Sequence, residues 1–146
     1  MNYYIQKKYF FCIFNFIRNN HMTCFWDAIV LSLNQDDFKL FGEKNFSINR
    51  KSIINFLKSK NTKCNNVLWQ DHKLKDQELT EHIEAVNCYN IKGIGRGHLT
   101  STCDSFLLLI CQLFKININH KYCKIMITYK NSENVRRTIN FKSNRG

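Results

Sequence analysis

Two stretches of this chain, residues 24–33 and 103–114, set apolar side chains almost all the way round a helix axis. The first carries Phe25, Trp26, Ala28, Ile29, Val30, Leu31 and Leu33; the second carries Phe106, Leu107, Leu108, Leu109, Ile110, Leu113 and Phe114. A helix with no polar face must be covered on every side, and a chain of 146 residues has room for one core in which to do it. The cover is supplied downstream, where the apolar period changes to two. Ile116 and Ile118 alternate with asparagines, then come Ile125, Ile127 and Tyr129, then Val135, Arg137, Ile139 and Phe141, giving three short strands. Residues 130–134 join the last two as a hairpin loop. The expected fold class is α+β, a small mixed β-sheet packed against two buried helices.

Between the two buried helices the pattern is amphipathic. A helix starting after Ser47 turns Ile53, Ile54, Phe56 and Leu57 inward and Arg50, Lys51, Asn55 and Lys58 to water, and residues 76–88 repeat Leu79, Ile83 and Val86 at helical spacing beneath Glu78, Glu81 and Glu84. The glycines at 93, 95 and 97 lack the lysine and hydroxyl that end a phosphate-binding loop, so this stretch reads as a turn. Thr102 is the expected cap of the second apolar helix.

An aromatic content of 14% and dense apolar runs exclude a disordered or fibrous chain. No apolar run approaches the roughly 20 residues of a membrane span. Ile, Asn and Lys, all with AT-rich codons, fill 51 positions. The net charge of +11 therefore reflects lysine enrichment as much as a polyanionic partner. Seven cysteines, an odd number in a chain that can build a core without staples, fit free thiols in a reducing, cytoplasmic compartment. The pair His120 and Cys123 has ligand spacing but no second knuckle, so no metal and no cofactor is expected. Residues 1–21 are set apart as an N-terminal extension of open status. Lys7 and Lys8 ahead of the apolar run 9–17 have the order of a signal peptide but no small-residue cleavage site, leaving a segment packed on the domain or an extension ahead of Met22. The domain proper is 22–146.

The chemistry centres on Cys24. Thr23 can cap the first helix, which places the thiol in a first turn where unpaired N–H groups and the helix dipole favour thiolate. Free backbone N–H groups there, at Met22 and Thr23, could hold the oxyanion formed when a carbonyl is attacked.

Three stretches extend this to a family. Thr23-Cys24-Phe25-Trp26-Asp27-Ala28-Ile29 resembles the nucleophile helix of the ovarian-tumour (OTU) type cysteine proteases, many of which are deubiquitinases. Gly97-His98-Leu99, the apolar run from Asp104 and the Ile-Asn-Ile at 116–118 are similar to that family's glycine turn, long helix and strand. The stretches 124–129 and 136–141 resemble its closing strands, the latter resembling the strand that in the family leads into the catalytic histidine. The likeness spans about 120 residues. It implies an OTU-like architecture, Cys24 as nucleophile, Met22 and Thr23 as oxyanion donors, and ubiquitin or a ubiquitin-like protein as partner. Two features depart from the family pattern. His21 and Met22 stand where it has Asp-Gly, and its histidine-aromatic pair beyond the last strand has no counterpart before Gly146. A truncated or inactive member is therefore the expectation. The five histidines present, at 21, 72, 82, 98 and 120, read as surface or turn residues.

Two alternatives stand beside this reading. One is a basic nucleic-acid-binding module, resting on the charge, on the exposed Lys and Arg of the helix after Ser47 and on Arg136-Arg137 beside aromatic residues. The other is a catalytically silent ubiquitin-binding domain.

Overall fold

Along the chain the elements run β1 (Asn2–Gln6), β2 (Tyr9–Ile13), α1 (Cys24–Ser32), α2 (Gln35–Lys39), α3 (Arg50–Ser59), β3 (Val67–Trp69), β4 (His72–Lys73), α4 (Asp76–Asn87), α5 (Thr100–Phe114), β5 (Ile116–Tyr122), β6 (Ile125–Asn131) and β7 (Arg137–Asn144). The computed structural model describes residues 2–6, 9–13, 24–94 and 100–144, with side chains at 25–94 and 103–142. The architecture is α+β. One mixed sheet has the order β1-β2-β7-β5-β6-β3-β4, with β7 parallel to both β5 and β2 and all other neighbours antiparallel.

Strand alternation divides the sheet into two faces. Ile116, Ile118, Tyr129, Ile139 and Phe141 point inward and are buried, while Asn117, Asn119, Thr128, Thr138 and Asn140 occupy the opposite face, where Asn119 donates to Asn140 at 3.1 Å. The helices cover the inward face. α5 packs on β3, β5 and β6, and α1 lies against β1 and β2. Residues 106–111 of α5 are each at most 1% exposed, so this helix is enclosed as its apolar girth required. α1 is enclosed on one side only. Trp26, Ala28 and Ile29 are buried, but Leu31 is 54% exposed, no described residue covering α1 fully on that side.

Other differences from the sequence reading have local causes. α5 starts at Thr100 instead of after Thr102; three hydroxyl residues in a row offer alternative starts that periodicity cannot rank. The expected β6–β7 hairpin is absent. β7 passes over the start of β5 and pairs with its far side, a step of about 10 Å that the connecting residues span easily. Buried Asn131 organises that crossing: its side chain donates to Cys111 O and accepts from Glu133 N–H, each at 2.9 Å, and Arg136 N–H bonds Lys115 O at 2.8 Å. Within residues 1–21, the segments 2–6 and 9–13 form β1 and β2, and β2 extends the sheet along the last four residues of β7.

α2 went unanticipated because it has five residues and no periodicity to display. A capping box supports it: Asn34 Oδ1 accepts from Asp37 N–H at 3.2 Å, and Asp37 Oδ2 accepts from Asn34 N–H at 2.8 Å. Phe38 then enters an aromatic cluster, stacked on Phe46 at 3.9 Å and edge-on to Phe114 at 5.3 Å.

Candidate active site

α1 begins at Cys24, and its direction follows from its far end. Ser32 O, in its last turn, accepts from Arg137 Nη2 at 2.8 Å, so the helix finishes where β7 starts. α1 also packs on β1 and β2, and β2 pairs with 141–144, so from its end at the head of β7 the helix leads back toward the strands that flank the end of β7. The Cys24 end therefore points to the end of the sheet where β7 finishes. Met22 and Thr23, expected as oxyanion donors, lie outside the described residues, as do His21 and His98; of Cys24 the backbone alone is described.

The residues just after Cys24 are firmly set. Trp26 is fully buried, donates from Nε1 to Tyr89 Oη at 2.9 Å and meets Phe106 of α5 edge-on at 4.7 Å. Burial shifts the Tyr89 hydroxyl upward in pKa. Asp27, in the first turn, pairs with Arg50 of α3 at 2.6 Å. Both residues line an open recess of about 440 Å³ together with Val30, Ile48, Asn49 and Lys51.

The described histidines occupy three different settings. His72 is exposed on β4. His82, expected beside an exposed polar segment, is half-buried, its Nδ1 2.8 Å from Ser105 Oγ and its ring edge-on to Trp69 at 5.6 Å. Its burial follows from its position in α4, between Leu79 and Val86 on the side that faces α5. Burial lowers its pKa. His120, expected beside the long helix, is an inward residue of β5, opposite Phe141 of β7 and Ile127 of β6. Burial pushes its pKa down to about 4, so the ring is neutral near pH 7.

Among the cysteines, Cys64 and Cys111 are buried and their thiols are pushed up to about 12 by desolvation, whereas Cys88 and Cys123 are exposed. The first two are structural hydrophobes. Among the described residues no group of three or more His, Cys, Asp or Glu side chains could hold a metal ion, and no helix is long and apolar enough to cross a membrane.

Arg136 and Arg137 are engaged within the fold. Asp37, fully buried, accepts from Arg136 Nη1 at 2.8 Å and from Arg137 Nη2 at 2.5 Å, and Arg136 also bonds Phe114 O at 3.1 Å. A second buried polar pair joins α5 to β6, where Tyr129 Oη donates to Asp104 and burial raises the pKa of both groups. Neither cluster was foreseen. Partners 99 residues apart leave no local pattern, and the one available signal was Asn34 three residues ahead of Asp37.

No protein-family model, no curated protein and no solved structure matches this chain.

Proposed function

We propose that this chain is an OTU-like thiol-protease domain whose nucleophile is Cys24 and whose partners are ubiquitin or ubiquitin-like conjugates. The observation that carries the reading is the direction of α1. It begins at Cys24 and points to the end of the sheet where β7 finishes, so a nucleophile and a base contributed from just beyond β7 would meet there. In such a site the Cys24 sulfur attacks the carbonyl carbon of the conjugate's C-terminal amide, first-turn N–H groups hold the oxyanion, and an imidazole gives its proton to the departing amine. Water then hydrolyses the thioester. Anchoring of Trp26 against Tyr89 and Phe106 supports the reading, because it fixes the turn that would carry the sulfur.

The basic-module alternative draws less support. The two arginines it leaned on are bonded to Asp37, and Arg50 is bonded to Asp27. A ubiquitin probe with a C-terminal electrophile is expected to label the chain, or the chain carrying a histidine-aromatic pair after Gly146, and to leave Cys24→Ala unlabelled. Absence of labelling in both forms overturns the enzyme reading.

A further inference from the structure

β6 runs on past the strand beside it. β3 pairs with its residues 129–131 and then ends in a two-residue turn, Gln70-Asp71, leaving 125–128 at the margin of the sheet. Both turn residues have left-handed backbone, φ 51° and 64°. Tight hairpins require this geometry and usually meet it with Asn-Gly, so Gln-Asp is an unfavourable choice on local grounds.

The Gln70 side chain makes up for it. Its main-chain N–H bonds Thr128 O at 2.9 Å; its Oε1 accepts from Thr128 N–H at 3.0 Å, and its Nε2 donates to Met126 O at 3.2 Å. A carboxamide offers the same donor and acceptor as a peptide group. Gln70 thus places a detached peptide unit where the next residue of a neighbouring strand would bond. Ladder alternation turns the N–H and C=O of Met126 and Thr128 to this side. Asp71 holds the turn in place through Lys130 at 2.8 Å.

The geometry points to residues 125–128 of β6 as a docking edge for an extended peptide strand of another protein, whose backbone takes over the bonds of the Gln70 carboxamide. Such strand addition matches main-chain groups first and side chains by alternation. On the inward face the incoming side chains lie beside Ile125, which is 60% exposed, and Ile127, which calls for apolar residues. On the outward face they lie beside Met126 and Thr128, with exposed Lys121 opposite Met126 and exposed Lys124 at the adjoining turn. On a chain of net charge +11 that face favours carboxylates. The partner is a strand in which apolar and acidic residues alternate.

A fluorescein-labelled hexapeptide of alternating glutamate and valine, titrated with the full chain, tests this by anisotropy. It is expected to bind, and its fully N-methylated form is not. Gln70→Asn keeps a residue that tolerates the left-handed turn but shortens the amide, so Thr128 N–H and Met126 O are vacated and binding should tighten about three- to tenfold. Amide shifts on titration should centre on Met126 and Thr128. Failure of the peptide to bind either the parent chain or Gln70→Asn overturns the proposal, as does equal binding of the methylated form. A dimer of the chain that Gln70→Asn strengthens and the peptide cannot dissociate assigns the edge to a second copy, which also overturns it. Cys24→Ala should bind the peptide as the parent does, so this test and that of the thiol reading fail separately.

Discussion

His120 stands where a positive charge is poorly tolerated, an inward strand position between Phe141 and Ile127. Desolvation holds its folded pKa at about 4, against 6.5 in an unperturbed chain. Between those values the unfolded chain binds a proton that the folded one does not, so acid favours unfolding. The contribution is complete above about pH 6.5 and is lost as pH falls toward 4. At about 1.4 kcal/mol per pH unit, the loss is of order 3 kcal/mol. His82, also lowered by burial, acts in the same direction. Asp104 acts in the opposite one: its pKa is raised above 3.8, so its contribution declines as pH rises from there. A comparison of variant with parent isolates His120. In urea unfolding at pH 7 and pH 4.5, His120→Phe should show a smaller drop in midpoint than the parent; an equal drop would mean the imidazole does not titrate in this window.

At the scale of elements, α3 shows how far local pattern reaches. Its apolar spacing named Ile53, Ile54, Phe56 and Leu57 as the inner side, and all four are buried. Its start is fixed by Asn49, whose Oδ1 accepts from Ser52 N–H at 2.9 Å. Asn49→Ala should cost about 1 kcal/mol and Asn49→Ser much less; thermal unfolding of the two variants checks the ranking. The long helices and the alternating strands were legible because each announces itself through its own period. β3 was not, because three residues, Val67-Leu68-Trp69, display no alternation and the turn after them has no glycine. The place of β7 was not legible either. Alternation says that a segment is a strand and which residues face inward, but the choice between β6 and β5 as neighbour depends on Asn131 and Asp37, whose contacts are remote in sequence. The candidate site divides in the same way. The helix start at Cys24 was readable from Thr23 and the apolar run, whereas the position of His120 on the sheet depends on strand order.

At the scale of the whole molecule, Asp37 is the point where separate parts of the chain are joined. Its carboxylate meets Arg136 and Arg137 at the head of β7, Arg137 reaches Ser32 at the end of α1, and Arg136 reaches Phe114 at the end of α5. β7 lies between β5 and β2, so whatever loosens it also loosens the attachment of β1 and β2 to the sheet. The pair of cations and the buried anion depend on one another: removing the anion alone leaves two guanidinium groups partly buried without their counter-charge, a change that costs about 3–5 kcal/mol. Asp37→Asn should therefore destabilise the chain by that amount in chemical denaturation, more than Arg136→Ala, because Arg137 would still satisfy the carboxylate. The loss should also be uneven. β5 is held by β6 and by α5 independently of Asp37, so hydrogen exchange in Asp37→Asn should rise first in β7, β2 and the end of α1 while the β5–β6 ladder keeps its protection. Uniform acceleration across all strands would mean that the sheet opens as one unit and that Asp37 stabilises it globally, not by pinning β7. The direction of α1 rests on the same join, because Arg137 fixes where that helix ends. On the proposed thiol reading, in whichever form of the chain the ubiquitin probe labels, the variant should therefore also lower labelling at Cys24 under conditions where the core remains folded.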